Sequence, residues 1–176
     1  MTTGYRPAPR RPDPLGGPPP EVRFAVPPLV RRGLLALALI GIGAAAFELY
    51  SEQHWNGPIQ LIPWGALGAL LLATLLAVVP GGRAALPARI LAVLVLGAAL
   101  YGVVQHVLTN LAAGPSDPGL ADTWAGLPLY EQVWLAASKQ VGSAPTLAPG
   151  VLGQTALVLL LATITGPRTG RHAHRR

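Results

Sequence analysis

PGGRAALPARILAVLVLGAALYGVVQHVLTNL, residues 80–111, sets the reading of the whole chain. It opens on the helix breaker Pro80-Gly81-Gly82 and places Arg83 and Arg89 near one end of an apolar run. It closes on Gln105, His106 and Asn110. An apolar run of about 20 residues is long enough to cross a bilayer as a helix. The arginines then mark one membrane face and the polar trio marks the other. Outward from this run, over 86–111, three more apolar runs occur at about 33–50, 61–79 and 148–165. The cations fall on alternate sides of them. Arg6, Arg10, Arg11, Arg23, Arg31 and Arg32 precede the first run, and Arg168, Arg171, Arg175 and Arg176 follow the fourth. The two remaining connectors hold only Lys139. Cytoplasmic loops carry the excess of Lys and Arg. The expected fold is therefore all-α, a four-helix transmembrane bundle with both termini cytoplasmic.

Composition points the same way. Of 176 residues 51% are hydrophobic and only 11% charged, with a mean hydropathy of +0.46, far from ordinary soluble usage. Four spans of about 20 residues each take roughly half the chain. The remainder, two tails and three connectors, is too short for a separate soluble core. A net charge of +6 would suit nucleic acid. However, the arginines border spans and form no patch interleaved with aromatics, so the expected partner is the anionic inner leaflet, with no nucleic acid. The absence of cysteine excludes disulfides, thiolate metal sites, iron–sulfur clusters and cysteine nucleophiles. Heavy use of Ala, Arg, Gly and Pro points to a high-GC bacterium, and so to the bacterial inner membrane.

The regions outside the runs divide simply. Residues 1–29, rich in Pro, Gly and Arg, bury too little to offset their ordering entropy and read as a disordered or polyproline-like cytoplasmic tail. Pro9 and Pro12 form a P-x-x-P pattern of the kind such tails contain by composition. Residues 30–167 form the membrane domain, and 168–176 a basic cytoplasmic tail in which His172 and His174 are solvated. Arg31, Arg32 and Ala44-x-Ala46 also match a cleaved export signal over Gly33–Ala46. The long Pro-rich tail ahead of them favours a retained first span. Small residues pair at four-residue spacing, Gly41 with Ala45, Gly65 with Ala69 and Ala98 with Gly102. Such pairs let helices approach closely in lipid. In the connector at 112–143, Tyr130, Val133, Trp134, Ala137 and Val141 fall on one face of a helix, opposite Glu131, Gln132, Leu135 and Lys139. This predicts an amphipathic outer helix that lies on the membrane or caps the bundle. Trp124, Tyr130 and Trp134 are candidates for substrate recognition there.

Ionisable residues within spans are expensive to insert, so each is a candidate site. At about 1.5 Å per residue, Glu48 lies roughly 24 Å beyond Arg32, His106 roughly 26 Å beyond Arg89, and Gln154 roughly 21 Å before Arg168. The three therefore share one depth near the outer boundary, with His54, Glu52, Gln60 and Asn110 slightly further out. This polar layer admits three readings. In the first, Glu48 pairs with His106 and Gln154 satisfies what is left, locking the helices in register. In the second, Glu48, Glu52, His54 and His106 hold a transition metal or form a proton or ligand site, for which imidazole and carboxylate are suitable donors. In the third, His54 and His106 hold haem. No H-x-x-H or H-E-x-x-H spacing, phosphate-cradling loop or nucleophile elbow is present, and neither Ser51 nor Ser143 has a base in context. Apart from Thr74, Tyr101 and Thr163, the inner two thirds of every span is apolar, which disfavours a conduction pathway.

The segment FELYSEQHWNGPIQLIPW, residues 47–64, resembles a signature of small four-span bacterial membrane proteins. In these a glutamate near the end of span one precedes a His-aromatic pair, and Gln-x-x-Pro opens span two. The matching residues are Glu48, His54, Trp55, Gln60 and Pro63. The resemblance implies the four-span arrangement and carries no established activity. It directs attention to the outer hairpin. The expectation is a non-enzymatic accessory subunit without a cofactor, whose outer polar layer meets a membrane-protein partner or small ligand. The alternatives are a metal-, proton- or solute-handling protein using Glu48, His54 and His106, and a haem-binding redox subunit.

Overall fold

The computed structural model describes residues 27–164 and is all-helical, with no strand among those residues. Of the expected tails, residues 1–26 of the 1–29 segment and the whole of 168–176 lie outside the described residues. The helices are α1 (Pro28–Ser51), α2 (Ile62–Ala77), α3 (Ala85–Ala113), α4 (Ala121–Trp124), α5 (Leu129–Ala137) and α6 (Ala148–Ile164). Three segments are long and apolar enough to cross a membrane: Pro28–Ser51, Pro58–Ala77 including the 3-10 turn ahead of α2, and Ala85–Ser116. The fourth apolar helix, α6, is 17 residues long in the described part.

α1 begins at Pro28, five residues ahead of the expected Gly33, and runs unbroken through Gly33–Ala46 to Ser51. Proline is well suited to a first helical position, where its missing N–H has no partner to lose. That is why the helix reaches back into residues whose Pro content reads as tail.

α1, α2, α3 and α6 pack side by side, each against two neighbours, with α2 also touching α6 across the middle. Their interior is made of small residues. Ala38, Leu70, Ala73, Ala88, Ala92, Ala156, Leu159 and Ala162 are fully enclosed, whereas Leu37, Ile40, Leu94, Leu100 and Leu161 point outward. A water-soluble bundle would reverse this order. Buried Thr74, Thr155 and Thr163 donate their hydroxyls to carbonyls of their own helices, so none brings an unsatisfied group inside. A side chain at Gly41 would collide with Thr155 of α6, and one at Gly102 with Pro149, so these two small residues do sit at close crossings. Gly65 faces open space and serves no such contact.

The arginines act on their neighbours' helix ends. Arg31, at the start of α1, donates from Nη2 to the carbonyl of Ala77, the last residue of α2. Arg89, near the start of α3, donates to the Thr163 carbonyl (2.9 Å) and hydroxyl (3.3 Å) at the end of α6. The last carbonyls of a helix lack intrahelical donors and carry its negative pole, so a cation there is doubly favourable. These two caps fix α1 antiparallel to α2 and α3 antiparallel to α6, and gather Arg31 and Arg89 at one end of the bundle.

The connector helix turns most of its apolar face away from the bundle, as one of its two expected placements requires. α5 ends at Ala137, short of Val141, and turns Gln132, Leu135 and Ala136 inward. Tyr130, Val133 and Trp134 are exposed. Gln132 is inward because its amide donates to the carbonyls of Trp124 (3.0 Å) and Leu127 (2.9 Å). Trp124 is buried with Ala136 and Val141 in a small second core, and leaves no room for a side chain at Gly114. It is a packing residue and not an exposed recognition residue.

Candidate functional site

At the end of the bundle away from the arginines, a cavity of about 400 Å³ opens between all four apolar helices. Its floor is Ala45, Ala66, Ala98 and Leu152, apolar side chains of which Ala45, Ala66 and Leu152 are buried. Its walls carry Glu48, Glu52, His54, Gln60, Tyr101, Gln105, His106 and Thr109, with Pro145 and Pro149 closing the α6 side.

Local backbone geometry brings His54 over this opening. Gln53 takes a left-handed conformation (φ 48°) at the end of α1, and the His54 N–H returns to the Leu49 carbonyl (2.9 Å). The loop is held from the other side by Trp64, whose indole N–H donates to the His54 carbonyl (2.8 Å). Gln60 accepts from the Asn56 N–H (2.7 Å). Tyr50, Trp55 and Trp64 form a short row of tilted rings along this hairpin.

The opposite wall depends on Asn110. This residue is fully buried and satisfied on both ends: its amide donates to the carbonyls of Ala136 (3.1 Å) and Ala144 (2.9 Å) and accepts from the Ala144 N–H (2.8 Å). Thr146 adds a bond to the Ala137 carbonyl (2.8 Å). The chain reaches Asn110 through Gly142, whose positive φ (73°) suits glycine and whose missing side chain leaves space for Asn110. Held this way, the Pro145 carbonyl lies 2.8 Å from His106 Nδ1. A carbonyl only accepts, so Nδ1 carries the proton and Nε2 of the neutral ring keeps its lone pair.

The sequence-predicted residues separate into two groups. Glu48, Glu52, His54, His106 and Gln60 line one cavity. Gln154 does not. It lies at the expected depth on an exposed part of α6 outside the cavity. Glu48 and His106 are not paired among the described residues, and His106 is engaged at Nδ1 by the Pro145 carbonyl. The two imidazoles are neighbours instead, with ring centroids 6.5 Å apart and planes tilted by 41°. His54 is held below its ordinary pKa, first by burial and then by His106, against an opposing pull from Glu52. Among the described residues no three His, Asp or Glu side chains converge as a metal site, so Glu48, Glu52, His54 and His106 share a cavity without forming a coordination shell. Tyr101, Gln105 and Thr109 join the walls, and Asn110 supports the site from behind. The spacing of Tyr101, Gln105 and Thr109, four residues apart on α3, was the available signal for them. Ser51 donates to the Phe47 carbonyl of its own helix (2.7 Å).

No family model, curated protein or solved structure matches this chain, so the likeness of residues 47–64 to small membrane proteins rests on those residues alone.

Proposed function

We propose that this is a four-span protein of the bacterial inner membrane, both termini cytoplasmic, that binds a small molecule in its extracytoplasmic cavity as a non-enzymatic accessory or ligand-binding subunit. The arginine end is then the cytoplasmic end. Although short, α6 counts as the fourth span because it runs antiparallel along α3 from Pro149 beside Gly102 to Thr163 beside Arg89, and so joins the cavity end of the bundle to the arginine end. The observation that carries the ligand reading is the cavity itself. Its volume falls in the range of small-molecule sites, roughly 300–1,000 Å³, and it combines an apolar floor with a few polar groups. Several of those groups, the Glu48 carboxylate, the His54 ring and His106 Nε2, have no hydrogen-bond partner among the described residues.

Native mass spectrometry of protein released from membranes in mild detergent tests this. A small mass carried by the wild type and lost from Ala98→Phe, which fills the cavity, is the expected result. An identical spectrum for the two, with unchanged elution on size exclusion, rejects it. Fusions of alkaline phosphatase after Ala125 and of a fluorescent protein after Arg83 test the orientation; phosphatase inactivity at Ala125 reverses it.

The closeness of the two imidazoles favours one alternative, a metal or haem held between His54 and His106. A Soret band, or metal lost on His106→Ala, would replace the small-molecule reading with that one.

A further inference from the structure

Resting on the cavity being a ligand site, we infer that its ligand is an organic cation, a protonated amine or quaternary ammonium attached to an apolar body. Three observations lead there. The first is the charge of the lining. Glu48 and Glu52, four residues apart at the end of α1 and so on one side of it, both line the cavity, and no lysine or arginine does. An anion placed there would lose hydration beside two carboxylates, whereas a cation gains from both.

The second is that Glu48 is half-buried and makes no ion pair or side-chain hydrogen bond among the described residues. The guanidinium groups that would have neutralised it internally are at the other end of the bundle, on helix carbonyls. A carboxylate in a partly desolvated wall is stabilised by any cation that enters. The third is the floor, which has no polar side chain and is built of Ala45, Ala66, Ala98 and Leu152, with the Tyr101 ring on one wall. An inorganic ion would leave that space unfilled, and the donors do not converge around a point. A bulky apolar cation satisfies the floor and the rim together. Burial, with His106 nearby, holds His54 toward its neutral form, so that this ring adds little positive charge beside the carboxylates.

A matched pair of probes reads this directly. Tetraphenylphosphonium and tetraphenylborate share shape and apolar surface and differ in the sign of the charge. Equilibrium dialysis of each against the detergent-solubilised full chain at pH 7.5, with empty detergent micelles subtracted, gives their saturable binding. The expected result is saturable phosphonium binding at least about tenfold tighter than that of the borate, weakened about tenfold by Glu48→Gln and less by Glu52→Gln. Equal or tighter borate binding that Ala98→Phe abolishes would overturn the cation inference and leave the ligand site standing. Absence of saturable binding by either probe, or binding that Ala98→Phe leaves unchanged, would overturn both. The charge comparison is made on the wild type, so it does not depend on any variant folding.

Discussion

The two ends of this bundle treat their polar groups in opposite ways. At the arginine end, Arg31 and Arg89 each reach across to the carbonyl terminus of a neighbouring helix and donate to it, although Arg31 Nε stays buried without a hydrogen-bond partner. At the far end Asn110 satisfies three backbone groups, but only as a brace behind the wall. In front of it, the Glu48 carboxylate, the His54 ring and His106 Nε2 face a cavity without hydrogen-bond partners among the described residues. Polar groups that are closed on themselves lock helices in register. Polar groups left open around a space are those to which something else binds. The first end therefore behaves as a clasp and the second as a mouth held open by a buried frame.

The comparison breaks most visibly at Asn110. Asn110→Leu removes both donors and the acceptor and leaves the Ala136 and Ala144 carbonyls and the Ala144 N–H without partners. A loss of about 3 kcal/mol is expected, read as a lower midpoint of thermal unfolding in detergent. Gly142→Ala drives a methyl group into Asn110 and strains a positive φ, so it should move the midpoint in the same direction. Both should also lower ligand-probe binding, because Pro145 and His106 lose their fixed relation. If Asn110→Leu unfolded like the wild type, the frame would have to lie elsewhere.

At the other end the expected effect is smaller. Arg89→Met removes two bonds and one helix-pole interaction at the end of α6, and should cost about 1.5 kcal/mol. Arg83→Met, on an exposed residue with no such bond, should stay within about 0.5 kcal/mol. Equal effects would mean that the arginines contribute only through the membrane surface, and that the clasp is not one.

What could be read from the chain alone follows from the same contrast. Counting residues along a helix gives depth, and depth correctly placed Arg31 and Arg89 at one end with Glu48 and His106 at the other. Depth carries no azimuth. Gln154 sits at the right height on the wrong side of α6, because a helix that is apolar all round offers no pattern from which to choose a face. The connector helix left its apolar face two placements, on the membrane or on the bundle, for a related reason. In water Tyr130, Val133 and Trp134 would mark the buried side, but beside a bilayer an apolar face is as well placed pointing outward, and α5 instead turns Gln132 inward to hold the turn after Trp124. Asn110 was visible only as one more polar residue, since its three partners are backbone groups 26 to 34 residues away.

The smallest expected effect concerns the cavity end, where His54 is the group with a shifted pKa among the described residues. His54 has a lowered pKa in the folded protein, so between that value and the ordinary imidazole value near 6.5 the unfolded chain binds more protons than the folded one. Its contribution to stability is therefore fully present above about pH 6.5 and is lost as the pH falls through that window. The titratable side chains sharing the cavity are Glu48, Glu52, Tyr101 and His106, and of these Glu52 opposes the shift while His106 reinforces it. Unfolding midpoints measured at pH 7.5, 6.5 and 5.5 should fall on acidification, and His54→Gln should flatten that fall. Arg89→Met should leave the slope of the wild type unchanged, since guanidinium keeps its charge throughout. A His54→Gln variant with the full wild-type slope would place the proton-sensitive group elsewhere and leave His54 as a lining residue only.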